Sequence, residues 1–68
     1  MTNDELLGAV VVATNAAGAR YKGRCVTFTL DGKAVVEVES VDIGYGPYTL
    51  PRSERQEFVV AQVELADG

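Results

Sequence analysis

Asp31-Gly32 lies between two runs rich in β-branched and aromatic residues, Ala19 to Leu30 and Lys33 to Ile43. A turn dipeptide flanked in this way is a strong short-range signal for a β-hairpin. Side-chain chemistry then selects the register. A two-residue turn would set Val26 against Glu37 and Phe28 against Val35, which mixes charge into the apolar face. A three-residue loop, Leu30-Asp31-Gly32 with Gly32 in the left-handed bulge position, sets Phe28 against Ala34, Val26 against Val36 and Arg24 against Val38. Val26, Phe28, Ala34, Val36 and Val38 then share one face, and Cys25, Thr27, Thr29, Glu37 and Glu39 share the other. A one-residue slip exchanges the faces, so the cleaner separation favours the longer loop. Gly23, in the middle of the first run, marks a bulge or a sharp bend.

The other segments also read mainly as strand. Ala9 to Thr14 is apolar and β-branched without polar alternation, which predicts a strand buried on both faces. Asn15-Ala16-Ala17-Gly18 reads as a loop, because Asn and Gly tolerate positive φ. Gly44 to Pro51 holds two Gly and two Pro and is expected to break any regular central strand. Arg52 to Glu57 is charged, and Ser53 with Gln56 has capping spacing, so a short helical turn is expected there. Phe58 to Leu65 reads as the last strand, with Val59, Ala61, Val63 and Leu65 on one face and Gln62 and Glu64 on the other. Thr2-Asn3-Asp4-Glu5 has the form of a capping box and predicts a short N-terminal helix through Leu6 and Leu7, stopped by Gly8. The expected fold is mainly β: one domain over residues 1–68, a small closed or nearly closed barrel of about five strands. Closure would remove exposed strand edges.

A chain of 68 residues has a thin core. A domain this short buries only roughly 60% of its unfolded surface, and a lone core of this size supplies about 3–5 kcal/mol. Such domains commonly add a disulfide or a metal. With one cysteine and no histidine, neither an internal disulfide nor a zinc site of the usual kind is available. No cofactor or metal is expected. Partner chains are the remaining source of stability, so a homo-oligomer is expected.

Ten acidic residues against six basic ones disfavour nucleic acid as the main partner, although a local patch could still bind it. The longest apolar run, Ala9 to Ala13, is too short to cross a bilayer. Met1 is followed by polar and acidic residues, not by a basic and then apolar leader. The expected setting is cytoplasmic, with no membrane contact.

From Asn3 to Val41 the chain resembles the Sm-like barrels. The resemblance lies in the short helix, the first apolar strand, a Gly-containing loop, the run Arg20-Tyr21-Lys22-Gly23-Arg24, the Asp-Gly turn and the acidic third strand. It implies a barrel whose copies join edge strands into rings, many of which bind RNA. The residues by which that family reads RNA are replaced here. Gly32 and Lys33 follow Asp31 with no Asn, and Arg55-Gln56-Glu57 stands where the family has Arg-Gly. Other SH3-like barrels share the same strand pattern.

Three groups of residues are candidates for function. Arg20, Lys22 and Arg24 alternate along a strand and could meet phosphates; alternatively they are ordinary edge charge that discourages strand pairing, or they pair with Glu37 and Glu39 across the hairpin. Tyr45, Pro47 and Tyr48 lie in a Gly-rich loop suited to a protein partner, or else the rings cap an open end of the barrel. Cys25 reads as a small buried or half-buried residue, and with no histidine present the usual base for a thiol nucleophile is missing. Asp31 and Asp42 read as turn and strand-end residues, and nothing requires Glu37 and Glu39 to act as a catalytic pair. The expected function is a non-catalytic binding or assembly module. The alternatives are an Sm-like ring binding RNA or DNA, and a small enzyme whose site forms between subunits.

Overall fold

The computed structural model describes residues 3–66. Five antiparallel strands form one sheet: β1 (Val10–Thr14), β2 (Arg20–Phe28), β3 (Ala34–Asp42), β4 (Pro47–Phe58) and β5 (Val63–Leu65). Their order is β4-β3-β2-β1-β5. The N-terminal segment makes a single helical turn at Asn3–Leu6. Thr2, the first residue of the expected capping box, lies outside the described residues.

The hairpin loop has the expected length. The Thr29 N–H donates to the Lys33 carbonyl at 2.8 Å, which closes a loop of Leu30, Asp31 and Gly32. Gly32 has φ +88°, a region that a side chain makes costly. The Thr29 hydroxyl donates to the Asp31 carboxylate and accepts the Lys33 N–H.

The expected register holds at both ends of the hairpin and fails in its middle. Phe28 faces Ala34, Lys22 faces Ser40 and Arg20 faces Asp42, as a straight three-residue-loop hairpin requires. Between them Gly23 faces Val38, Arg24 faces Glu37 and Cys25 faces Val36. Val26 is an extra residue on β2 and Glu39 an extra residue on β3, so the two shifts compensate. The straight register would set the Arg24 guanidinium against Val38 on the core face. The bulges replace that contact with Gly23 against Val38 and turn Arg24 toward Glu37. Cys25 takes the core place expected for Val26, which is only half-buried.

Leu6, Val11, Ala13, Cys25, Ala34, Val36, Val38, Phe58 and Val63 form the core. The Tyr21 ring packs on Phe58 with centroids 5.3 Å apart. No residue larger than Leu is fully buried among those described, which matches the thin core expected.

Four expectations are corrected. β1 is buried on one face only: Val11 and Ala13 are inside while Val10 is exposed. Residues Arg52 to Glu57 are strand, not a helical turn, and the Ser53 hydroxyl donates to the Glu37 carboxylate at 2.9 Å in place of capping a helix. The single last strand is divided: Phe58 ends β4, a 3-10 turn covers Val60–Gln62, and β5 keeps three residues. Val59 and Ala61 are therefore exposed.

The fourth correction concerns closure. β4 and β5 each have one neighbour, so the sheet is open and not a closed barrel. It is nonetheless curled. Four residues, Val59 to Gln62, join one edge strand to the other. Such a link, mostly 3-10, reaches about 12–14 Å, whereas five flat strands would separate their edges by about 19 Å. Curvature brings β5 back beside β1, while β4 and β5 are not paired with each other among the described residues.

Candidate functional site

The outward face of the sheet carries a shallow hollow of about 160 Å³ lined by Val12, Arg20, Lys22, Ser40, Asp42 and Pro47. Two neighbouring cross-strand rows build it. One runs Val12, Lys22, Ser40; the other runs Arg20, Asp42, Pro47. The bulge at Val26 puts these basic side chains outside. Without it, Arg20, Lys22 and Arg24 would share the face of Phe28.

The three basic residues expected to act together are divided. Arg20 and Lys22 line the hollow. The Arg24 guanidinium instead donates to the Gly8 carbonyl at 2.6 Å, tying the end of the helical turn to β2. The expected pairing with Glu37 and Glu39 is not formed. Glu37 lies beside Arg24 in the ladder but accepts from Ser53, and Glu39 is bulged and exposed. Among the described residues neither Arg20 nor Lys22 is in an ion pair; the pair found is Lys33 with Asp31, at 3.9 Å. Asp42 accepts the Gly44 N–H at 2.8 Å, which fixes one carboxylate oxygen beside the two cations.

The second candidate group borders the first. Ile43 to Gly46 form the tip between β3 and β4, and Pro47 opens β4 while lining the hollow. Tyr45 is 95% exposed and Tyr48 65% exposed. Neither ring caps the core; Tyr21 and Phe58 supply the aromatic packing there. Ile43 is also exposed, so three large apolar side chains cluster in sequence at one tip.

Cys25 is buried, as expected, and its thiol donates to the Thr27 carbonyl at 3.8 Å. Burial pushes its pKa up, with the Thr27 contact opposing more weakly. A thiol held neutral in a core is a packing group, not a nucleophile. Asp31 stays below the usual carboxylate range, first because the Thr29 hydroxyl donates to it and also through Lys33. Among the described residues no group of three or more Cys, Asp or Glu side chains is placed to hold a metal ion, and no helix is long and apolar enough to cross a membrane.

Sequence reasoning missed the part played by Val12, Ser40 and Asp42. The hairpin register already paired Lys22 with Ser40 and Arg20 with Asp42. What it lacked was the face these pairs occupy, which only the bulge decides. No known protein family matches this chain, and no curated protein or solved structure matches it either.

Proposed function

We propose that this protein is a non-catalytic binding and assembly module that works as a homo-oligomer. Partner chains, further copies of this one first among them, would contact it through the open sheet edges and through the Tyr45–Tyr48 tip with its adjoining hollow. The observation that carries the reading is the exposed apolar tip, where Tyr45 and Tyr48 flank Pro47, itself part of the hollow. Exposed tyrosines beside a cationic hollow combine apolar area, hydrogen-bonding tips and charge, which suits a protein surface. The thin core adds a reason for association. The test is sedimentation over a range of concentrations. The wild type is expected above the mass of one chain, and Tyr45→Ser/Tyr48→Ser is expected to keep its fold and sediment as a smaller species. A wild type that stays monomeric at every concentration overturns the homo-oligomer.

A second reading has one observation in its favour. Arg20 and Lys22 share an exposed face and have no ion-pair partner among the described residues, as a phosphate contact would need. The acidic balance of the whole chain weighs against it.

A further inference from the structure

The outer edge of β4 is not uniform. Its first part carries Pro47 and Pro51 and contains the register shift opposite Val38 and Ser40. Proline and irregularity are the usual means of blunting an open edge. From Glu54 to Phe58 the strand instead runs straight against Val38 to Ala34, with no shift and no proline. Glu54, Arg55 and Glu57 are exposed, and Gln56 is half-buried. This is a five-residue edge whose backbone no proline or bulge blocks, guarded by the charges of Glu54, Arg55 and Glu57, which discourage pairing unless a partner matches them.

We propose that Glu54 to Phe58 pairs antiparallel with the same segment of a second copy, about a two-fold axis between the two Gln56 residues. The inference rests on the assembly reading and specifies its contact. Two strands related by an axis perpendicular to their sheet keep their faces, so the axis must pass beside a residue and not between two residues. That leaves few registers. Centring on Arg55 opposes two arginines, centring on Glu57 opposes two glutamates, and centring on Glu54 does the same. Centring on Gln56 sets Arg55 against Glu57 of the partner subunit and Glu57 against Arg55 of the partner subunit. Opposite charges directly across a ladder attract, and like charges repel. Arg55 and Glu57 stand on the outward face, opposite Glu37 and Val35 of β3, so both new pairs lie on one surface. Such a contact closes on itself and makes a dimer, not a ring.

The experiment is sedimentation of the full chain and of Arg55→Glu, Glu57→Arg and the combined variant, with folding checked by circular dichroism. Each single reversal turns two attractions into two repulsions and is expected to weaken dimerisation roughly tenfold or more. The combined variant restores opposite charges and is expected to restore the dimer. Gln56→Cys is expected to give a disulfide-linked dimer under mild oxidation, because directly opposed residues have Cα atoms about 4.5–5.5 Å apart, within disulfide range. Association that neither reversal alters, or a ring of more than two copies, overturns the β4 contact and leaves the assembly reading standing. A chain monomeric at all concentrations overturns both.

Discussion

A side chain on Gly23 would collide with the backbone of Glu37. A methyl group there would fall on the Glu37 carbonyl oxygen, 2.7 Å from its carbon and 2.8 Å from the Val38 Cα. These are backbone atoms in the middle of β3 and cannot swing aside as a side chain can. Gly23→Ala must therefore separate β2 from β3 at the point where Val38 enters the core. Overpacking commonly costs about 1–3 kcal/mol, and a collision with backbone falls at or above the top of that range. Against a core worth about 3–5 kcal/mol, most of the stability is lost. Urea unfolding is expected to show a midpoint near zero denaturant for Gly23→Ala.

The same residues show how much of the fold could be read in advance. Asp31-Gly32 and the alternating valines gave the hairpin, its loop length and its end registers. They did not give the compensating bulges at Val26 and Glu39, because a bulge is chosen by which side chain the core rejects. Arg24 against Val38 was the visible conflict, and it pointed to the place. The region from Gly44 to Glu57 was the harder part. Its prolines and charges argue against a central strand, and they are tolerated because β4 is an edge. Edge position depends on the order of the whole sheet, which no local pattern contains. For the site, Arg20, Lys22, Tyr45, Pro47 and Tyr48 were named from sequence, whereas the hollow that joins Pro47 to the two cations needed the three-strand register.

Cys25 supplies a prediction about reactivity and pH. Its thiol is buried and its pKa is raised. The folded state therefore holds the proton more tightly than the unfolded state does. Stability from this group is fully present below the unfolded thiol pKa of about 8.5 and declines as pH rises past it. Urea midpoints measured at neutral pH and near pH 9.5 are expected to fall more in the wild type than in Cys25→Ala. Aromatic disulfide reagents are expected to label Cys25 slowly in the native protein and quickly in urea.

Asp31 shows the opposite sign. The Thr29 hydroxyl, with help from Lys33, holds its pKa below the ordinary value. Its contribution is present above the unfolded carboxyl pKa of about 3.9 and is lost as pH falls through the lower folded value. The carboxyl resonance of Asp31 is expected to titrate at lower pH than that of an unstructured Asp. Thr29→Val removes the leading cause and is expected to move the titration back up. Lys33→Met, which removes the weaker cause, is expected to move it less.

Arg20 and Lys22 allow the nucleic-acid reading to be judged by magnitude. Each phosphate contact on a single strand contributes about −0.7 to the slope of log affinity against log salt. Two cations then give a slope of about −1.4, or roughly a sevenfold loss between 50 and 200 mM salt. If the hollow is the contact, an unstructured oligonucleotide should show that shallow slope, and Arg20→Gln/Lys22→Gln should abolish binding at low salt. Arg24→Gln should leave the slope unchanged, because its guanidinium is engaged with the Gly8 carbonyl. A slope much steeper than −2 would require more cations than the hollow holds and would place the contact elsewhere. No binding at low salt would remove the nucleic-acid reading and leave the two basic residues to meet acidic groups of a protein partner.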